Sequence, residues 1–145
     1  MSSRYPFIAR PETLHFNIGT LGAPTLATPG VPTPAAFGFF GRLNIAQDKE
    51  IRFAHLHLEV GGAAGQELHL ELWRRRNSLM TFLCAMDYVS VGGETYITID
   101  VVPAGELVIS RDGDYLFCQA VTGTTGAPGD GLTVDTHFNF ADGYQ

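Results

Sequence analysis

The sequence contains few charged side chains. Charged side chains make up 17% of its 145 residues, against about 25% in typical soluble domains, and Lys49 is the only lysine. The formal net charge is −6, whereas a nucleic-acid-binding protein normally carries a basic face. We therefore expect no nucleic-acid partner. Apolar residues still make up 45% of the chain, which is enough for the core of one domain.

Long apolar runs and cysteines are also scarce. No apolar run approaches the roughly 20 residues of a membrane-spanning helix, so we expect no membrane partner. The opening residues Met1–Pro6 lack the apolar segment of a secretory signal. Cys84 and Cys118 both fall in apolar, strand-like stretches, which predicts two buried thiols and no disulfide framework.

The N-terminal quarter has no charged side chain from Thr13 to Gly41, and six of the eight prolines precede residue 35. Proline removes backbone donors and biases the preceding residue toward extended conformations, so residues 1–35 are predicted to form an extended arm. A solvated linker would normally carry charge. We therefore expect this arm to bind a partner, and its removal (residues 1–34) to leave a folded domain. The predicted contact residues are Phe7, Leu14, Phe16, Ile18, Leu21, Leu26 and Val31.

From residue 36 onward, apolar residues alternate with a period of two, which is typical of half-buried strands. Glycine, proline and aspartate separate the runs, as they do in turns. The pattern predicts about eight short strands and no amphipathic helix, which indicates an all-β, antiparallel jelly-roll β-sandwich over residues 36–145. The predicted strands are Ala36–Ile45, Ile51–Val60, Glu67–Trp73, Leu79–Met86, Glu94–Val101, Glu106–Ser110, Asp114–Val121 and Leu132–Phe140.

A hairpin across residues 61–66 would set His57 opposite His69 and His55 opposite Glu71. Directly opposed residues have Cβ atoms roughly 4.5–5.5 Å apart, and imidazoles with carboxylates at that spacing can bind zinc. A solvent face or a polar ladder at a subunit interface explains the same pattern, and we predict no metal and no cofactor. Phe53 and Trp73 fall on the same two polar faces. We therefore expect a trimer interface formed by Phe53, His55, His57, His69 and Trp73.

The sequence contains no catalytic constellation. It has no Gly-x-Ser-x-Gly motif and no glycine-rich loop that opens a helix. Asp112-Gly-Asp114 lacks the further ligands and the terminal glutamate of a calcium loop. The basic cluster Arg74–Arg76 alternates between strand faces, which favours an edge or interface over a phosphate site. We expect a protein that is not an enzyme.

The order of segments from Glu94 to Phe140 carries a resemblance. A strand at Glu94–Val101 is followed by Pro103-Ala-Gly105, a second strand, the run Gly113–Val121, a Gly/Thr/Pro loop and the strand from Leu132. This order resembles the closing half of small jelly rolls in bacteriophage virions, such as capsid decoration (cement) proteins and head- or tail-fibre tips. More distantly, it is similar to trimeric C1q/TNF-like domains.

The resemblance implies a non-enzymatic homotrimer that is made in the host cytoplasm and lies on the exterior of a capsid. Its arm would bind neighbouring subunits of the major capsid protein and connect them. Two other functions remain open. A fibre-tip module that binds a receptor or a carbohydrate would show a groove with aromatic side chains. A cupin-like metalloenzyme would use the histidines to hold a metal inside a barrel.

Overall fold

The computed structural model describes residues 12–19, 28–32, 49–101, 115–121 and 128–140. Every regular element in these ranges is a β-strand, and none of the described residues forms a helix that is long and apolar enough to cross a membrane. The strands are β1 (Glu12–Gly19), β2 (Lys49–His57), β3 (Val60–Gly61), β4 (Glu67–Arg76), β5 (Leu79–Val89), β6 (Tyr96–Asp100), β7 (Tyr115–Ala120), β8 (Gly129–Asp130) and β9 (Leu132–Phe140).

The strands form antiparallel sheets, which confirms the predicted all-β class. One sheet has four strands in the order β1-β9-β2-β6, and a second has three in the order β5-β4-β7. The short strands β3 and β8 pair as a two-stranded ribbon. This arrangement is consistent with a β-sandwich, in which two sheets enclose one hydrophobic core.

The core is built from the inward residues of both sheets. Alternation along each strand sends every second side chain to the same face, so the four-stranded and three-stranded sheets each contribute an apolar layer. The buried cluster consists of Leu14, Phe16, Ile51, Ala54, Leu56, Leu58, Leu68, Leu70, Leu72, Leu83, Cys84, Met86, Ile97, Val101, Leu116, Cys118, Ala120, Leu132, Val134 and Phe138.

Register shifts interrupt the alternation in three of the described ladders: at Ile18 of β1, and in β2 and β5 as follows. Ile51 pairs with Phe138 and Phe53 pairs with His137, so Arg52 is an extra residue between two rungs of the ladder. A bulge of this kind shifts the side-chain alternation by one, and both Ile51 and Ala54 are therefore buried. Leu83 is the corresponding extra residue of β5 opposite β4.

The hairpin of β4 and β5 is longer than the sequence predicts. The strands continue to Arg76 and resume at Leu79, with Asn77 at a φ of +56° in the connecting turn. Asparagine tolerates this left-handed conformation better than most residues. The predicted strands Ala36–Ile45 and Glu106–Ser110 lie outside the described residues.

The expectation of an arm over residues 1–35 is corrected for residues 12–19. These residues form β1, which pairs with β9 and places Phe16 opposite Val134. Leu14 and Phe16 are buried, and Ile18 is partly buried against the core, so these three side chains serve the domain itself. Val31 is 50% exposed, while Phe7, Leu21 and Leu26 lie outside the described residues.

Two loops at one end of the sandwich are held together by backbone hydrogen bonds. Gly93 N–H donates to Gly62 O (2.8 Å) and Gly65 N–H donates to Ser90 O (2.7 Å). A Cβ on Gly61 would lie 2.4 Å from the carbonyl carbon and oxygen of Gly93, which is far inside van der Waals contact. Glycine at position 61 is therefore a requirement of this close approach.

We expect Gly61→Ala to destabilise the fold by about 1–3 kcal/mol, the usual cost of forcing an extra methyl group into a packed site. Urea unfolding followed by circular dichroism measures the loss. The matched control is Ala63→Ser, an exposed position of the same loop, which should leave the midpoint unchanged. Equal midpoints for both variants would contradict the close approach of the two loops.

Candidate functional site

The outward face of the four-stranded sheet carries four of the five histidines of the chain. Strand β2 contributes alternate residues to it, and the register aligns them with outward residues of β9, β1 and β6. We call this surface the histidine face. It comprises Thr13, His15, Phe53, His55, His57, Tyr96, Thr98, Asp135 and His137.

Four rings form a continuous row across the histidine face. Phe53 stacks on His137 with ring centroids 4.5 Å apart, and His55 stacks on Tyr96 at 5.1 Å. The two pairs meet edge to face, because the His55 and His137 centroids are 4.9 Å apart. Tyr96 is 61% exposed and the other three rings are half-buried. The row therefore exposes aromatic ring surface on the outside of the four-stranded sheet.

Threonine hydroxyls fix the orientation of both central imidazoles. His55 Nδ1 hydrogen-bonds with Thr98 Oγ1 and His137 Nδ1 with Thr13 Oγ1, each at 3.0 Å. The Nε2 atom of His137 is buried beneath the neighbouring rings and has no hydrogen-bond partner. The strands on either side of the row thus hold its two imidazoles in place.

The environment of His137 disfavours its charged form. Burial lowers the pKa of His137 below its ordinary value, and the adjacent His55 adds to this effect. Asp135 acts in the opposite direction, but its carboxylate is already engaged by His15 Nδ1 at 2.5 Å. The face therefore favours a neutral imidazole at its centre.

The predicted hairpin between His57 and His69 is wrong. His57 pairs with Tyr96 and Thr133 in the four-stranded sheet, whereas His69 pairs with Asp87 in the three-stranded sheet. The connection through residues 61–66 crosses from one sheet to the other instead of closing a hairpin. Of the five residues predicted for one interface, the structure brings Phe53, His55 and His57 together and places His69 and Trp73 on the opposite sheet.

His69 lies between two carboxylates. Its Nδ1 atom is 2.8 Å from Asp87 Oδ1 and its Nε2 atom is 2.8 Å from Glu67 Oε1. The hydrogen bond with Asp87 is the largest cause of the raised pKa of His69, and burial opposes it. Both partners favour imidazolium, so this histidine behaves oppositely to His137.

His69 should make stability depend on pH in a defined direction. A raised folded-state pKa gives stabilisation that is complete below the unfolded value of about 6.5 and is lost as the pH rises through the folded value. We expect His69→Gln to lose more stability in mildly acidic than in mildly alkaline buffer, relative to the wild type at the same pH, as measured by urea unfolding. Asp87→Asn removes the main partner and should act in the same direction. Parallel pH profiles for wild type and both variants would overturn this interpretation.

A polar site covered by a turn lies on the outward face of the three-stranded sheet. Glu71, Trp73 and Gln119 are 8%, 6% and 0% exposed, and we call them the turn notch. Trp73 Nε1–H donates to Glu71 Oε1 (3.1 Å), as does Gln119 Nε2–H (3.0 Å). Residues 28–32 lie over them. Trp73 is therefore covered by the chain itself, which explains why it does not belong to an open interface.

A cleft of about 290 Å³ lies beside the turn notch. It is bounded by Pro29 of the turn, by Leu70, Ala85 and Val121, and by the polar residues His69, Glu71 and Asp87. The carboxylates in its wall are engaged within the protein, Glu71 with the notch and Asp87 with His69.

Two further groups of ionisable or nucleophilic side chains stabilise the fold, the Glu94 network and the two cysteines. The Glu94 carboxylate accepts hydrogen bonds from Val91 N–H, Gly92 N–H and the Ser90 hydroxyl, each at 2.7–2.8 Å. A hydrogen bond from Tyr88 and a weaker effect of the hydrogen bond from Ser90 lower the pKa of Glu94. This network closes the loop after β5 and leaves the Ser90 hydroxyl committed to it.

The prediction of two buried thiols is confirmed. Cys84 and Cys118 are free and lie on the strands that flank Leu72 of β4. Burial raises the pKa of Cys84 to about 12 and also raises that of Cys118. Since the thiolate is the reactive form, neither residue is arranged as a nucleophile.

Sequence reasoning missed six of the nine residues of the histidine face. Pairings between strands that are distant in the sequence bring in Thr13, His15, Tyr96, Thr98, Asp135 and His137. The available signal was the alternation of polar residues along Leu132–Phe140. Among the residues that the structure describes, no three His, Cys, Asp or Glu side chains are gathered as metal ligands.

Comparison with known protein families, with curated proteins and with solved structures found no match for this chain.

Proposed function

We propose that the chain is a structural protein of a bacteriophage particle: a capsid decoration protein that binds the shell as a homotrimer, with the histidine face as the contact between its copies. The observation that carries the proposal is the row of Phe53, His137, His55 and Tyr96, whose rings are preoriented and partly exposed. Aromatic side chains on an otherwise polar face are typical of contact surfaces.

The jelly-roll form of the sandwich belongs to this proposal. The first and last described strands, β1 and β9, are neighbours in one sheet. Among the longer described strands, the connections β2 to β4, β5 to β6, β6 to β7 and β7 to β9 all join one sheet to the other. Connections that keep crossing between sheets are typical of Greek-key and jelly-roll sandwiches, and they support the resemblance to virion jelly rolls.

Burial of the ring row would supply the energy of association. Covering an exposed aromatic side chain contributes roughly 1.5–3 kcal/mol, and a threefold arrangement repeats each contact three times. Attachment to the major capsid protein is then assigned to the parts of residues 1–35 outside β1, through Phe7, Leu21, Leu26 and Val31. Three such segments on one trimer multiply the effective affinity for a repeating shell.

Light scattering of three proteins tests the assembly. The wild type is expected to be a trimer at micromolar concentration, and Phe53→Asp a monomer, because it places a carboxylate within the proposed contact. The matched control is Val89→Asp, a residue of the other sheet that is 57% exposed, which should remain trimeric. Co-sedimentation with purified phage particles then tests attachment, and a monomeric wild type that does not sediment with any shell would refute the proposal.

Carbohydrate binding is a second candidate that one observation favours. Tyr96 is 61% exposed, stacks on His55 and lies beside the hydroxyl of Thr98, and such a platform can stack a sugar ring. This function requires the ring row to stay open. It therefore predicts a monomer and saturable shifts of the Tyr96 ring resonances when monosaccharides are added.

A further inference from the structure

The shape of the cleft beside the turn notch follows from one small side chain and one overhanging turn. On the outward face of the three-stranded sheet, Ala85 of β5 lies directly opposite Glu71 of β4. Gly30 N–H donates to Glu71 Oε2 (2.9 Å), which places the turn above this rung of the ladder. Pro29 of the turn forms one wall of the cleft, and the short side chain of Ala85 leaves the space of about 290 Å³ beside it open.

The next rung of the same ladder supplies the polar end of the cleft. His69 lies opposite Asp87, and its two ring nitrogens are hydrogen-bonded to Asp87 and Glu67, each at 2.8 Å. Val121 N–H donates to the backbone oxygen of His69 (3.1 Å), and Val121 borders the cleft beside it. Because both ring nitrogens are engaged, His69 offers a ligand its ring surface and no further hydrogen-bond donor.

The carboxylates of the cleft retain the capacity to accept hydrogen bonds. An ionised carboxylate has about four acceptor sites, and Asp87 uses one of them for His69. The Asp87 side chain is 62% exposed, so its other lone pairs are accessible to a ligand. Glu71 already accepts hydrogen bonds from the turn and from the other two residues of the notch. The cleft therefore favours a ligand that brings a hydrogen-bond donor to Asp87.

The charge around the cleft is negative. Three carboxylates, those of Glu67, Glu71 and Asp87, surround one imidazole, so negative charge is in excess even when His69 is protonated. No lysine or arginine is among the described residues that line the cleft, and residues 28–32 of the turn are uncharged. Coulomb attraction therefore favours a cationic ligand and disfavours an anionic one.

We propose that the cleft is a binding site for a primary ammonium group on a short apolar body, in which the ammonium donates to Asp87 and the body packs between Pro29 and Val121 over Ala85. An ammonium brings three donors and one positive charge, which match the acceptors and the charge of the cleft. The volume of about 290 Å³ is at the lower end of the range for ligand sites, about 300–1,000 Å³. A free small amine and a lysine side chain share this chemistry.

Titration of the isotope-labelled wild type, followed by nuclear magnetic resonance, tests the proposal without any variant. Phenethylammonium and butylammonium should cause saturable shifts of the Ala85, Asp87 and Val121 amide resonances, with dissociation constants of about 1 mM for ligands of this size. Phenethyl alcohol has the apolar body without the charge and should bind several-fold more weakly. Tighter binding of butylammonium, which has the stem of a lysine side chain, would assign the site to lysine, and tighter binding of phenethylammonium would assign it to a free aromatic amine.

Two variants separate the shape of the cleft from its charge. Ala85→Leu fills the cleft at an exposed position without removing a hydrogen bond, so it should fold normally and abolish the binding of phenethylammonium. Asp87→Asn should weaken binding by about twofold to fivefold, as expected for a partly exposed ion pair. The matched controls are Ala63→Leu, at another exposed alanine, and Asp100→Asn, at an exposed aspartate of the opposite sheet. Both should bind as the wild type does.

The pH dependence of binding gives a readout that a purely structural role of Asp87 would not change. The pKa of His69 is raised, and loss of its proton leaves the charges of Glu67, Glu71 and Asp87 uncompensated. Gln119 and Val121 on the β7 side and the residues of the turn are uncharged. An alkylammonium has an ordinary pKa of about 10.4 and stays charged. Its binding should therefore tighten as the pH rises through the pKa of His69, and His69→Gln should remove this dependence.

Three results would overturn the proposal. Equal binding of phenethylammonium and phenethyl alcohol would show that the cleft does not select a cation. Wild-type binding by Ala85→Leu would place the amine elsewhere on the protein. Absence of a saturable shift at about 10 mM amine would show that the cleft takes no such ligand. None of these results depends on the histidine face, so they are independent of the proposed trimer.

Discussion

A chain without residues 1–34 is expected not to fold. The truncation removes β1 and with it Leu14 and Phe16 of the core, and it leaves β9 without its neighbour at the edge of the four-stranded sheet. Phe16 is fully buried, and replacing a buried phenylalanine with alanine costs about 3–5 kcal/mol. Since a domain of this kind has about 5–15 kcal/mol of total stability, Phe16→Ala alone should shift the unfolding midpoint strongly.

The controls separate the strand from the segment that precedes it. Asn17→Ala changes an exposed residue of the same strand and should leave the urea midpoint within experimental error. A chain without residues 1–11 keeps β1 and should fold with the wild-type circular dichroism spectrum. If the chain without residues 1–34 unfolds at the wild-type midpoint, β1 is not part of the folded domain.

The difference between the predicted and observed N-terminal segment has a physical origin. Leu14, Phe16 and Ile18 follow the period of two that identifies a strand, but the prolines and the absence of charge on their C-terminal side favour an extended arm. Proline disfavours helix and central strand at its own position, and Pro24 says little about residues that lie six to ten positions before it. These three residues, which alternate as in a half-buried strand, contribute to the hydrophobic core, although the segment around them has the composition of a binding arm.

Strand pairing is the part of the fold that local patterns do not determine. Alternation correctly identified His55 and His57 as lying on one face of β2, and His69 on one face of β4. Which strands are neighbours depends on long-range contacts, and the short connection between β2 and β4 suggested a hairpin. The buried pairing of β2 with β9 instead brings His55 to within stacking distance of His137, more than eighty residues further along the chain. The candidate site thus depended on a topology that the sequence spacing could not supply.

Acidification is expected to take the proposed trimer apart. The pKa of His137 is lowered by burial and by His55, so the folded protein resists protonation of this group. A depressed folded-state pKa gives stability that is complete above the unfolded value of about 6.5 and is lost as the pH falls through the folded value. A partner that covers the face desolvates His137 further, which disfavours its charged form more strongly in the assembly than in the free copy.

The neighbouring charged groups do not cancel this effect. Asp135 of β9 favours the protonated form of His137 but is hydrogen-bonded to His15 of β1. Asp100 of β6 pairs with Phe53 at the exposed edge of the sheet. Thr13 and Thr98, which hold the two imidazoles, are uncharged. Protonation of His137 therefore stays unfavourable in the assembly, and three copies would repeat this cost three times.

Light scattering at about pH 7.5 and about pH 5, on either side of the ordinary histidine pKa, should show a trimer and a monomer respectively. His137→Gln cannot be protonated and should stay associated over a wider range toward low pH. His69→Gln alters a histidine on the opposite sheet and should dissociate at the wild-type pH, which makes it the matched control. A trimer that persists at about pH 5, or a His137→Gln variant that dissociates together with the wild type, would show that the ring row is not the acid-sensitive contact.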